Sequence, residues 1–268
     1  MAAFAIAGGG IASRATGAER QCPRGSLPAY AHNDYENPRP LQEAVERGFR
    51  GVEVDLFLVD GTLRVGHDRR RARDGAAFEA LYLEPLSALV ARCGALTSDG
   101  HPFLLAVDFK ERSAAAYDAL VGLLSGYHSL LARSPAESVR LPSIEIVLVG
   151  WHPADAGREG GADSLLRLQH RLSSPSAPHR NALDPRVRLV SLDYGKTMGR
   201  WWLSPADRWR WIAALRAVKD AVPDRLLRVH NVPADARIYG RLLGAGVDLI
   251  GAKRLATTQR LLSGMTPP

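Results

Sequence analysis

Glu53-Val54-Asp55 sets two carboxylates one residue apart inside an apolar run. In a β-strand side chains alternate, so both acids share one face while Val52, Val54 and Leu56 take the other. Two acids buried side by side repel each other and lose solvation, and a cation between them relieves both costs. Oxygen donors at this spacing suit a hard cation. A solvated hairpin with two exposed acids is the plainer alternative. Asp108 ends a second apolar run, Phe103 to Phe109, and Lys110 follows on the same side. Such a pair fits a site in which Asp108 binds a metal and Lys110 contacts phosphoryl oxygens, and it fits a surface salt bridge. His32 in Ala31-His32-Asn33-Asp34 and His67 in Gly66-His67-Asp68 each follow a strand-like segment. Displacement at phosphorus needs a base on the attacking side and an acid on the leaving side, and two imidazoles can supply them near neutral pH. Either one alone also fits a structural imidazole, the role expected of His101, His128, His170 and His179.

These residues need elements that bring strand ends together. Short apolar runs at 28–32, 51–58, 103–109, 144–149, 187–192, 226–230 and 247–250 alternate with helical stretches, the pattern of a parallel sheet covered by helices. Leu41, Ala44 and Val45 recur at helical spacing before Gly48. Tyr117, Leu120, Val121 and Leu124 form a second apolar stripe, and Ile238, Leu242 and Leu243 a third. Asp60-Gly61 predicts a hairpin turn extending the second strand. Ser204-Pro205 predicts a capped helix start. The fold class is α/β, a TIM-type (β/α)8 barrel, regular or not, and its missing eighth strand is expected between Asp193 and Leu226, the stretch holding Trp201, Trp202, Trp209 and Trp211.

In chain order, H-N-D, Glu36-Asn37-Pro38, E-x-D, H-D and D-x-K each fall at a strand end or in the loop after it. On these motifs the sequence resembles the phospholipase C-like phosphodiesterase superfamily, which includes glycerophosphodiester phosphodiesterases and sphingomyelinase D. It looks most like the branch named for the altered-inheritance-of-mitochondria proteins, on its bacterial side, through AHNDYENPRPLQEAVERGFRGVEVDLFLVDGTLRVGHD and the ending LLGAGVDLIGAKRL. The resemblance implies metal-dependent cleavage of a glycerophosphodiester or a phospholipid headgroup, by hydrolysis or by cyclisation as in a lyase. It makes His32 and His67 the acid/base pair, Glu53, Asp55 and Asp108 the ligands of Mg²⁺, or of Ca²⁺ in the same set, and Lys110 a phosphate contact. Asn33 stands where glycerophosphodiesterases usually carry arginine, and is the substrate contact expected there. The last strand departs as well: Gly251-Ala252-Lys253 replaces an acidic ending, which favours a more anionic ligand.

The chain has 268 residues and a net charge of +7, suiting an anionic substrate or surface. The densest basic run, Arg69, Arg70, Arg71 and Arg73, lacks interleaved aromatics, so nucleic acid is not an expected partner and a solvated loop is the plain reading. Expected partners are a phosphodiester small molecule or lipid headgroup, with peripheral membrane contact through tryptophans as a further option and oligomeric state open. Residues 1–20 resemble a secretory leader without its basic start, or a disordered segment, and 21–268 form the barrel. A secreted or periplasmic setting is the expectation and a cytoplasmic one the alternative. In an exported chain Cys22 and Cys93 either pair or stay free thiols. A catalytically inactive barrel that binds an anionic phosphate-containing ligand is the competing class. A serine acyl hydrolase is disfavoured by the lack of a G-x-S-x-G elbow.

Overall fold

The computed structural model describes residue 22 and residues 27–131, 143–158, 164–176, 180–198 and 204–265; Trp201, Trp202, His179 and the 1–20 segment lie outside them. The elements run β1 (Leu27–Ala31), α1 (Gln42–Glu46), β2 (Phe49–Val59), β3 (Thr62–Val65), α2 (Arg69–Arg73), α3 (Glu84–Cys93), β4 (Phe103–Phe109), α4 (Ala114–Ser125) and α5 (His128–Leu131). There follow β5 (Ile144–Leu148), β6 (Arg167–Leu172), β7 (Val187–Asp193), α6 (Tyr194–Met198), α7 (Pro205–Ala221), β8 (Leu226–His230), α8 (Ala236–Gly244), β9 (Leu249–Ala252) and α9 (Leu255–Ser263).

Neighbouring strands run in the order β1-β9-β8-β7-β6-β5-β4-β2-β3, and β1 also pairs with β2. That last pairing closes eight parallel strands into a barrel, with β3 joined to β2 as an antiparallel hairpin. Asp60 and Gly61 both take positive φ (49° and 77°), as a two-residue hairpin turn of matching twist requires. The alternation of side chains makes two cores. Tyr30, Leu104, Ala106, Val147, Leu189 and Leu249 fill the barrel. Residues of the opposite parity, such as Val52, Val54, Leu105 and Val190, pack outward against Leu86, Leu120, Leu215 and Leu242 of the surrounding helices.

The eighth strand is not between Asp193 and Leu226. That stretch holds α6 and α7, and the strand is β6, Arg-Leu-Gln-His-Arg-Leu, paired with β5 and β7. Its outward residues Leu168 and Leu172 are buried, whereas its inward positions are the polar Arg167, Gln169 and Arg171, so it carries no apolar run. The helix start at Ser204-Pro205 is as expected: Ser204 Oγ accepts from Asp207 N, and the Asp207 carboxylate accepts in return from Ser204 N. Trp211 is buried and stands edge-on to Tyr194 at 5.7 Å, while Trp209 is 66% exposed. The arginine run forms α2, whose first turn is capped by Asp68. No helix among the described residues is long and apolar enough to cross a membrane.

Cys22 and Cys93 form a disulfide that ties the chain ahead of β1 to the end of α3, 71 residues on. A crosslink over so long a loop removes much unfolded-state entropy, roughly 4 kcal/mol in the chain-entropy account and about 2–5 kcal/mol for native bridges in practice. Reduction, or the double change Cys22→Ser/Cys93→Ser, should therefore lower the unfolding free energy extrapolated from urea titration by a matching amount, with a lower midpoint. Unchanged denaturation curves with and without reductant would show that the bridge does not constrain this fold.

Candidate functional site

The site is assembled at the carboxyl ends of the barrel strands, where parallel barrels collect their chemistry. Glu53 and Asp55 sit at inward positions of β2 and are 3% and 0% exposed. β4 lies beside β2 with Glu53 opposite Ala106 and Asp55 opposite Asp108, so the parallel register alone places the third carboxylate next to the second. One oxygen from each of the three acids lies within 4.8 Å of the others. The β2–β3 hairpin projects past the mouth and returns, with Gly66 N bonded to Asp55 O, which sets His67 over the same cluster.

Both imidazoles rest on the acids through Nδ1. His32 Nδ1 lies 2.6 Å from Glu53 Oε2, a close contact poorly aligned for a hydrogen bond, and His67 Nδ1 lies 3.1 Å from Asp55 Oδ2. In each ring Nε2 is left as the second proton-exchanging atom. Lys110 Nζ stands 2.6 Å from Asp108 Oδ2 and 3.1 Å from Asp55 Oδ2. The structure thus brings together His32, Glu53, Asp55, His67, Asp108 and Lys110. Asn33 is placed differently: it is 4% exposed and takes left-handed backbone angles before a 3-10 turn at Asp34–Glu36.

Two groups at the site, Tyr35 and Arg228, belong to none of the sequence motifs, whereas Asp193, His230 and Asn231 stand at strand ends expected to line the mouth. Tyr35 donates its hydroxyl proton to Asp55 Oδ2 at 2.6 Å and lies 3.3 Å from His67 Nδ1; a lone tyrosine in a polar loop has no distinguishing pattern. Arg228, 1% exposed on β8, lies 3.6 Å from Glu53 Oε2, contacts Ser191 Oγ through Nε at 3.2 Å and stacks over the Tyr30 ring at 4.7 Å. A charge in the middle of Leu-Leu-Arg-Val-His was its available signal. His230 stacks at 6.1 Å on His32, 3.6 Å from Asp193, which also accepts from Asn231 Nδ2.

Electrostatics follow from burial and these neighbours. Burial alone would raise the Glu53 carboxyl, yet Arg228, His32 and Lys110 together hold it at about 2. Asp55 is raised, because desolvation outweighs the Tyr35 hydrogen bond and Lys110. For Lys110, desolvation works downward but Asp108 and Asp55 prevail and raise it. His230 is depressed to about 3 by burial and by the Arg228 charge, and is therefore neutral.

A divalent cation fits this donor set. All donors are oxygens, and Asp55 Oδ1 is buried without a protein partner, as expected of an atom facing a cation. Gly150 keeps the far side of Asp108 clear, since a Cβ built there would overlap Asp108 Oδ1. Gly150→Ala should therefore push Asp108 off its place and lower both cation affinity and any turnover by roughly 10–100-fold, as loss of outer-shell support does, with little change in thermal stability. Calorimetric titration with Mg²⁺ checks it, and wild-type affinity in the variant would mean that Asp108 is not a ligand.

An eight-stranded parallel barrel whose mouth gathers three carboxylates, two histidines and a lysine defines the class. The AIM6-like phosphodiesterase domain matches residues 24–102, the stretch carrying His32, Glu53, Asp55 and His67. Among curated proteins, the altered inheritance of mitochondria protein 6 homolog of Arthroderma benhamiae is 28% identical over 118 residues, 37% of this chain and 38% of that protein. Altered inheritance of mitochondria protein 6 of Eremothecium gossypii is 27% identical over 145 residues, 47% of this chain and 37% of that protein. The matched stretch thus spans under two fifths of either relative. Both are fungal, so the expected bacterial side of that branch gains no support. Among solved structures, an Oleispira antarctica phosphodiesterase in complex with the product sn-glycerol-3-phosphate superposes with a TM-score of 0.53 at 12% identity, over 89% of this chain and 98% of that one. A glycerophosphodiester phosphodiesterase from Agrobacterium tumefaciens gives 0.51 at 15% identity, over 89% and 100%. At such identities the likeness is one of fold.

Proposed function

We propose that the protein cleaves phosphodiesters of the glycerophosphodiester or phospholipid-headgroup type, with His32 and His67 as the acid/base pair. The observation that carries this is the shared anchoring of both imidazoles: each rests its Nδ1 on a different carboxylate of one three-acid cluster, leaving both Nε2 atoms for the oxygens on either side of a phosphorus. The similarity to a phosphodiesterase domain and the fold shared with two phosphodiesterases support the same reading.

Glu53, Asp55 and Asp108 would hold a divalent cation, Mg²⁺ or Ca²⁺. When bound, such an ion supplies Lewis-acid stabilisation of charge on a nonbridging phosphoryl oxygen. The Lys110 ammonium, kept charged by Asp108 and Asp55, adds a second positive contact for those oxygens. The neutral imidazole of the pair takes the proton of the attacking oxygen while a new P–O bond forms. The protonated imidazole gives its proton to the alkoxide that leaves as the old P–O bond breaks. Tyr35 and Asp55 fix the tilt of His67, and Glu53 fixes His32. The attacking oxygen comes from water, giving hydrolysis, or from a hydroxyl of the substrate, giving a cyclic phosphate. The Cys22–Cys93 bridge supports a secreted or periplasmic setting, because cytosolic thiols are kept reduced.

The test is ³¹P NMR of glycerophosphodiesters incubated with the protein in Mg²⁺, in Ca²⁺ and in EDTA. Metal-dependent appearance of a monoester or a cyclic ester is expected. Inertness of the whole panel in every condition, with phosphate compounds still bound, would replace the enzyme by a ligand-binding barrel.

A further inference from the structure

Beside the acid cluster, on the His32 flank, a pocket of about 260 Å³ opens between the loop after β8 and the loop after β9. It is lined by His32, Asn231, Tyr239, Lys253, Arg254 and Thr258 among others, and by no carboxylate. Lys253 and Arg254 are exposed, and neither has an acidic partner among the described residues. Three other cations of this chain are each held by a carboxylate: Lys110 by Asp108, Arg188 by Glu145, Lys219 by Asp248. Two adjacent cations without acidic partners in a concave site form a positive field that draws anions into it. The backbone adds to it. α9 begins directly after Arg254 with no side-chain cap on its first turn, whereas α8 across the pocket is capped by Asp235. The loops after the last two barrel strands, with a helix start, are also where parallel barrels commonly hold phosphate.

We propose that this pocket binds a second anionic group, a phosphomonoester or a carboxylate, carried by the alcohol on the His32 side of the scissile phosphodiester, and that Lys253 and Arg254 determine this specificity. The inference rests on the phosphodiesterase reading above. His32 lines the pocket while its Nδ1 is held against Glu53, so the substituent on the oxygen it serves has this cavity as its neighbour. The volume falls below the roughly 300–1,000 Å³ of drug-sized sites, which suits a compact polar headgroup and not an acyl chain. A choline or other cationic headgroup would face Lys253 and Arg254 without a counter-charge.

The experiment compares kcat/KM of the wild type and of Lys253→Ala/Arg254→Ala on glycerophosphocholine, glycerophosphoglycerol, glycerophosphoglycerol phosphate and glycerophosphoglycerate. The phosphate and carboxylate arms show which anion is taken. The wild type should favour an anionic diester over glycerophosphoglycerol by roughly ten- to a hundredfold, the equivalent of one or two charge-assisted hydrogen bonds. In the double variant that ratio should fall to near unity, and Lys253→Arg should keep most of it. Using a ratio cancels any loss common to both substrates. No anionic preference in the wild type, or a ratio that survives in the double variant, overturns the proposal. If no diester is turned over, the phosphodiesterase reading fails on its own. Calorimetry with glycerol 3-phosphate in EDTA then decides the pocket: affinity at least tenfold weaker in the double variant supports it, and equal affinity or no binding to the wild type sinks it.

Discussion

Asp55→Asn should lower kcat/KM toward a glycerophosphodiester by roughly a thousandfold or more and abolish tight Mg²⁺ binding, while leaving the barrel folded. Asp55 is where the lines of the site cross. Its carboxylate accepts the Tyr35 proton at 2.6 Å, faces His67 Nδ1 and Lys110 Nζ at 3.1 Å each, and is the register neighbour of Asp108. Asparagine keeps the shape but removes the charge, so one change weakens the cation site, the seat of His67 and the hold on Lys110. Loss of a group that stabilises transition-state charge costs about 10²–10³ in rate, and loss of an orienting partner about another 10–100. Because these roles share one residue the effects will not add fully, and about 10³ is the smallest loss consistent with the assignment. Asp68→Asn is the matched control. Asp68 adjoins His67 but caps α2 from the exposed side, and asparagine caps as well as aspartate, so activity should stay within about threefold of wild type. An Asp55→Asn protein that keeps a tenth of wild-type turnover, or binds Mg²⁺ normally, would remove the carboxylate cluster from the mechanism.

The parts of this site that the sequence disclosed are those in which chemistry coincides with periodicity. Glu53 and Asp55 interrupt an otherwise apolar strand at the same parity, and Asp108 ends another, so strand alternation places all three without coordinates. His67 could be placed because Asp60-Gly61 announces a hairpin whose second arm must come back to the level of Asp55. The parts that stayed hidden depend on closure of the barrel. Arg228 and Ser191 belong to β8 and β7, far along the chain, and reach Glu53 only because β9 joins β1 and β1 joins β2; His230, legible as a strand end at the mouth, meets His32 through the same closure. β6 was missed for a related reason. Its inward positions, Arg167, Gln169 and Arg171, are polar, and Leu168 and Leu172 are the only apolar residues on its outward face. A search for apolar runs passes over such a strand and looks to the tryptophan-rich stretch after Asp193. The disulfide had no sequence signal beyond the presence of two cysteines, since pairing is decided by where α3 ends relative to the chain before β1.

Arg228→Met should destabilise the metal-free protein by about 3–5 kcal/mol, and that loss should shrink when Mg²⁺ is added. The guanidinium is buried in the barrel with its charge directed at Glu53, itself 3% exposed. Removing Arg228 leaves Glu53 desolvated with only His32 and Lys110 to compensate its charge, and this asymmetry sets the size of the effect. Methionine fills most of the space above Tyr30, so the loss reads charge more than cavity. For a chain of this length each kcal/mol moves Tm by roughly 2–4 °C, so the drop should be on the order of 10 °C. The pH dependence carries a sign of its own. In the wild type Glu53 is held at about 2, below its unfolded value. Its contribution is complete above about pH 5 and is lost only as the pH falls toward 2. Without Arg228 the burial that raises the carboxyl is no longer outweighed by its largest opposing charge. The variant's folded form then takes up a proton at a higher pH than the wild type does, so its deficit against wild type should be largest at pH 8 and shrink as the pH is lowered into the carboxylate range. A cation bound by Glu53, Asp55 and Asp108 supplies the missing positive charge, so Mg²⁺ should raise the Tm of the variant more than that of the wild type. Thermal melts at pH 5 and 8, each with Mg²⁺ and with EDTA, measure all of this. A variant as stable as wild type in EDTA at pH 8 would show that the buried arginine is not what keeps Glu53 ionised.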